Sequence, residues 1–199
     1  MSEKMKGFKA EVESKISKLL DEFAEGKLNR EQFHAIYERY NGQLELVEKA
    51  LSGGDVKLDA PDGGTIMLRE QYMGKAQGLM IFANKTGDVV ETLGQFGVSI
   101  TEIIPVLDRF TQQLEAGIAV ERVVRQVNEK EWLLFLAGSY TTVVITFQQE
   151  PSQYQTVVLQ RMHTEFENAN KTLFEASVFD PARLVFPFLS FVTRGMGNR

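Results

Sequence analysis

Between Val120 and Phe147 three strand-like runs follow one another with almost no chain between them: Val120 to Val127, Trp132 to Ala137 and Thr141 to Phe147. Asn128-Glu129-Lys130 and Gly138-Ser139 supply turn residues at the two breaks. Parallel neighbours need a crossover of a dozen residues or more, so connections this short permit only an antiparallel meander. A second pair of apolar runs, Gly78 to Ala83 and Val89 to Leu93, flanks Asn84-Lys85-Thr86-Gly87-Asp88. Gly87 stands where a longer hairpin turn asks for a positive φ. A phosphate-cradling loop would lead into a helix N-terminus, whereas here a second strand follows, so the stretch reads as a hairpin tip.

Helical periodicity fills the gaps between these strands. Ile100, Ile103, Ile104, Leu107, Phe110 and Leu114 lie on one face of a helix over Ser99 to Ala116, with Ser99 and Glu102 placed to cap it and Gly117 to end it. Pro105 lies inside that span, so the first turn is expected to be irregular or the helix to start later. Pro151-Ser152, with Gln155 in the capping-box position, opens a second helix to about Ala176, striped by Tyr154, Val158, Met162, Phe166, Ala169 and Leu173. The resulting order, β-β-α-β-β-β-α, defines an α+β domain: one five-stranded antiparallel sheet with covering helices.

Ahead of it, Val12, Ile16, Leu19, Leu20 and Phe23 draw one helical stripe. Phe33, Ile36, Tyr37, Tyr40, Leu44, Val47 and Leu51 draw another. Gly26 closes the first helix, and Asn29 with Gln32 forms a capping box for the second. The pair makes an antiparallel hairpin whose apolar stripes need a third surface, either the rest of the chain or a second copy. His34 falls off the stripe and reads as a surface histidine. The organisation is therefore a helical hairpin over 1–52, a Gly-rich linker and lead-in over 53–74, the α+β domain over 75–176, and an aromatic-rich tail over 177–199. The double glycines Gly53-Gly54 and Gly63-Gly64 are followed by no Gly-Lys-(Ser/Thr), so they do not build a nucleotide loop.

Two resemblances attach to these patterns. "GLMIFANKTGDVV" and "WLLFLAGSYTTVVITF", the latter before a long closing helix, resemble the roadblock/dynein-light-chain domain, a profilin-like fold with this order of elements, over residues 75–176. "LLDEFAEGKLNREQFHAIYERY" resembles the SHOCT-type helical hairpin. The roadblock resemblance implies homodimers and regulation or scaffolding of small Ras-like GTPases. GAF- and PAS-type sensors mix strands and helices in a related way, and the alternative they imply is a small-molecule sensor with an enclosed pocket.

Chemistry is sparse. The chain has no cysteine, which excludes disulfides, thiolate catalysis and cysteine-bound metal. A net charge of −5 offers no basic excess for nucleic acid. His163-x-x-x-Glu167 has metal-ligand spacing, but with one other histidine in the chain it reads as a helix-surface pair. Ser139-Tyr140-Thr141-Thr142 lacks a nucleophile-elbow pattern, the carboxylates form no paired signature, and Trp132 reads as core or half-buried strand. The expectation is a non-enzyme with no catalytic, cofactor or metal residues. Asn84-Lys85-Thr86 and Asn170-Lys171-Thr172 are formal glycosylation sequons. The charged start, MSEKMKGFKAEVESK, carries no apolar leader, and no run of about 18 apolar residues occurs, so a cytoplasmic protein is expected.

The tail "SVFDPARLVFPFLSFVTRGMGNR" opens with Asp180-Pro181, a helix-start pair, and Pro187 should stop any helix. Its aromatic surface cannot remain in water, so the tail is expected to pack on the protein through Phe179, Phe186, Phe188 and Phe191 in preference to touching a membrane or a foreign partner. Self-association is expected, with Ile103, Leu107 and Phe110 at or near the contact.

Overall fold

The structure, a computed structural model, describes residues 2–51, 64–120 and 122–187. The chain divides into two compact units, one reaching to Met73 together with Ser152–Tyr154, the other comprising Gly74–Pro151 and the residues from Gln155 onward.

In the first unit, helices α1 (Ser2–Ala24) and α2 (Arg30–Leu51) form the antiparallel hairpin. Gly26 takes φ 71° and lets the Lys27 amide reach back to Glu22 O and its own amide to Phe23 O, a left-handed closure of α1. Asn29 and Gln32 then exchange two hydrogen bonds: Gln32 N donates to Asn29 Oδ1 at 2.8 Å, and Asn29 N donates to Gln32 Oε1 at 3.0 Å. Val12, Leu19, Leu28, Ile36 and Tyr40 are buried between the helices, and Phe23 stacks on Phe33 with centroids 4.5 Å apart. A short helix, α3 (Thr65–Gln71), lies within the stretch read as lead-in and adds Leu68 to this core, supplying part of the third surface. The capping pair holds it too: Gln32 Nε2 donates to Arg69 O at 2.6 Å and Asn29 Nδ2 to Tyr72 O at 2.7 Å. Those bonds satisfy carbonyls at the end of a helix too short to show a period.

The second unit contains the five-stranded antiparallel sheet: β1 (Ala76–Ala83), β2 (Val89–Gly94), β3 (Val123–Asn128), β4 (Glu131–Ala137) and β5 (Thr141–Phe147), in spatial order β2-β1-β5-β4-β3. Central β5, "TTVVITF", is buried at every position. Alternation persists along β4, but both sides are apolar: Trp132, Leu134 and Leu136 belong to one core, Leu133 and Phe135 to the other. Helix α4 (Ile100–Glu115) closes the second core with Ile103, Val106 and Phe110, Phe110 meeting Phe135 edge-to-face at 6.3 Å. Helix α5 (Gln153–Glu175) closes the first with Phe166 and Phe174. Despite Pro105, α4 begins at Ile100, capped by Ser99. The amide that proline lacks would have met the carbonyl of Thr101, and both residues are exposed, so the loss falls on a face open to water.

Helices α4 and α5 end like α1, with a reversed pair of amide bonds through Gly117 and Ser177. Ser177 does so at φ 56°, a left-handed conformation that costs an L-residue about 1 kcal/mol or more. Ser177→Gly is therefore expected to raise the unfolding free energy by up to about 1 kcal/mol in urea titration; an unchanged or lowered value would show the conformation to be unstrained.

Candidate functional site

The densest convergence of buried polar groups in the second unit lies where the β4–β5 turn meets α5. Glu167 Oε2 accepts from Ser139 N at 2.7 Å. Its Oε1 accepts from Tyr140 N at 2.8 Å, Thr141 N at 2.7 Å and Thr141 Oγ1 at 2.9 Å. Three successive backbone amides aimed at one point form an anion-binding concavity, and here the anion is the protein's own carboxylate. A Cβ on Gly138 would fall onto that carboxylate, which is why the turn begins with glycine. Asn84, at the β1–β2 hairpin tip, holds the turn from another side: Nδ2 donates to Gly138 O at 2.9 Å, its amide donates to Tyr140 O at 2.9 Å, and Oδ1 accepts from Thr142 Oγ1 at 2.8 Å. The tip itself closes through Gly87 at φ 75°.

His163 completes the cluster. Its Nε2 lies 2.9 Å from Thr141 Oγ1 and 3.9 Å from Glu167 Oε1. Burial pushes its pKa down from 6.5 to about 4, with the Glu167 carboxylate pulling the other way. The pair read as lying on a helix surface is thus buried, His163 at 2 % and Glu167 at 7 % exposure. No group of three or more His, Asp or Glu among the described residues is placed to hold a metal. The arrangement braces a turn, with the histidine shut away from solvent.

The same helix receives the tail. Asp180 Oδ1 accepts from Ala182 N at 3.0 Å and starts a single 3-10 turn over Pro181–Arg183. Beyond it Asn170 grips the extended chain at both edges of one residue, Nδ2 donating to Val185 O at 2.7 Å and Oδ1 accepting from Val185 N at 2.8 Å. Phe179 stacks on Phe174 at 5.2 Å, Phe186 stacks on Phe166 at 5.4 Å, and Leu184 is buried. The tail packs on its own domain as far as Pro187; Phe188 and Phe191 lie outside the described residues. Both sequon asparagines are committed to these contacts, Asn84 to the turn and Asn170 to the tail, so neither amide is free for modification in the folded chain.

Two of the three residues expected at or near a contact on α4 do not reach the surface. Ile103 and Phe110 are 0 % and 1 % exposed inside the domain's own core and have no surface to offer a partner. Leu107 is half-buried, while Ile100 and Ile104 on the same helix are exposed. Surface is offered instead by the sheet edges, β2 and β3. Edge β2 is blunted by its own side chain, since Glu91 Oε1 accepts from Thr92 N at 2.8 Å. No described side chain takes up a backbone group of β3 between Val123 and Gln126, where Val124 is exposed. Asn128, at its end, uses its side chain on Lys130 N and Glu131. Beyond that end an open depression of about 540 Å³ is lined by the polar residues Gln77, Asn128, Lys130, Glu131, Gln148 and Gln149. His34 is exposed, and Trp132 is buried in β4. No helix of the described residues is long and apolar enough to cross a membrane.

Comparison with family models, with curated proteins and with solved structures finds no match to this chain.

Proposed function

We propose that this protein is a non-enzymatic interaction module that pairs with a second copy of itself through β3. The paired domains then present a joint surface to a protein partner. The observation that carries the reading is the contrast between the two sheet edges, one capped by Glu91 and the other open from Val123 to Gln126. An open, proline-free edge is a template for a further strand. Antiparallel pairing of β3 with its symmetry mate satisfies both edges at once, the self-complementary arrangement a two-fold dimer requires. The resemblance to roadblock domains supports the same reading and points to a small Ras-like GTPase as the class of partner. The polar cluster on α5 supports a non-catalytic role, because its carboxylate is spent on three backbone amides and the rest of its bonds tie Thr141, His163 and Glu167 to one another.

The test is light scattering during size exclusion at tens of micromolar, on the wild type and on a Val124→Lys, Gln126→Lys variant. The wild type is expected at twice the chain mass and the variant at the chain mass with an unaltered circular dichroism spectrum. Two lysines on an edge strand oppose strand addition without touching the core. A monomeric wild type, or a variant that still dimerises, would overturn the assignment to β3.

A further inference from the structure

The two nitrogens of His163 have unlike surroundings. A carboxylate only accepts, so the Thr141 hydroxyl donates to Glu167 Oε1, and its oxygen accepts from His163 Nε2–H. The neutral ring therefore carries its proton on Nε2. Nδ1 is left as a bare acceptor, buried and without a partner among the described residues. A second proton can arrive only there, in a place with nothing to accept from it.

The groups around the ring offer little compensation. Glu167, on the same helix, is the one charge that acts on it. From β5 the neighbour is the neutral Thr141. Tyr140, from the turn, does not reach the ring: its side chain lies further along α5, against Phe174, with its hydroxyl donating to Glu175. Phe166 lies alongside at 6.4 Å. A charged ring would stand 3.9 Å from Glu167 Oε1, a carboxylate already engaged by the amides of Ser139, Tyr140 and Thr141 and by the Thr141 hydroxyl, and it would still leave the Nδ1 proton unpartnered.

We propose that Thr141, His163 and Glu167 form an acid-sensitive latch, in which protonation of His163 at Nδ1 frees the β4–β5 turn from α5 while the rest of the sheet stays folded. The ring is held below its ordinary value in the closed state, so the open state binds more protons. The latch is fully closed above about pH 6.5 and weakens as the pH falls toward 4. For values of 6.5 open and about 4 closed, opening becomes about 30-fold more favourable between pH 7.5 and pH 5.

Amide hydrogen exchange at Ser139, Tyr140 and Thr141, corrected for intrinsic rates, reads this directly. Protection in the wild type is expected to drop on the order of 30-fold from pH 7.5 to pH 5, with the β1 amides and the β5 amides beyond Thr141 unchanged. In His163→Gln, whose amide can still donate to Thr141, protection should not respond to pH. Should that variant not fold, the ring's titration in the wild type by NMR serves instead, with a midpoint well below 6.5 expected. Constant protection in the wild type, equal pH dependence in the variant, loss spread evenly over the sheet, or a midpoint near 6.5 would each overturn the latch.

Discussion

Glu167→Ala is expected to lower the unfolding free energy by about 4 kcal/mol, visible as a large drop in the urea midpoint with an unchanged slope. The carboxylate accepts four hydrogen bonds, three from consecutive backbone amides, and only 7 % of the residue is exposed. Hydrogen bonds to a charged group contribute about 1.5–3 kcal/mol each, and the stranded amides retain their desolvation cost. The amides cannot easily find other acceptors, because the turn is held from its other side by Asn84. Glu167→Gln keeps one acceptor oxygen but sets an NH₂ group against amide donors, so it should recover only part of the loss. A loss below about 1 kcal/mol for the alanine variant would mean that water replaces the carboxylate without cost, and the buried-brace account would be wrong.

What the sequence made legible follows from how local each signal is. The meander was readable because Asn128-Glu129-Lys130 and Gly138-Ser139 leave no chain for a crossover, and all the observed pairings are antiparallel. The Asn29/Gln32 box was readable because both of its bonds close within four residues. The burial of His163 and Glu167 was not, since an i, i+4 pair has the same spacing on a wet face as on a dry one. The signal that could have found it is the Gly138-Ser139 turn, which needs a partner for its amides. The same limit hid the fate of Ile103 and Phe110: an apolar stripe declares that a face is covered, not whether by the chain's own Leu133 and Phe135 or by a partner. Asn170, in mid-helix, competes with its own backbone and finds a use only through a tail fifteen residues on. Helix α3 has fewer than two full turns and therefore shows no period at all.

The second large effect concerns that tail. Phe179→Ala combined with Phe186→Ala is expected to destabilise the domain by about 4 kcal/mol, less than the roughly 6 kcal/mol or more that two fully buried aromatic truncations cost, because both rings are only partly buried. Each ring covers a core phenylalanine, Phe174 and Phe166, that would otherwise lie open at the surface of α5. The double variant should also bind a hydrophobic dye that the wild type excludes, and its effect should exceed that of Val185→Ala, whose side chain is exposed and whose backbone, not its valine, is what Asn170 holds. A double variant as stable as the wild type would show that the tail rests on the domain without closing its core.

The most direct test of the proposed self-pairing is amide hydrogen exchange along Val123–Asn128 at two protein concentrations, one far below and one far above the dimer midpoint found by light scattering. Alternate amides of β3, those not bonded to β4, should gain at least tenfold protection at the higher concentration, while β2 from Val89 to Gly94 exchanges equally at both. Protection that rises along β2 and not β3, or that is independent of concentration on both edges, would contradict the account.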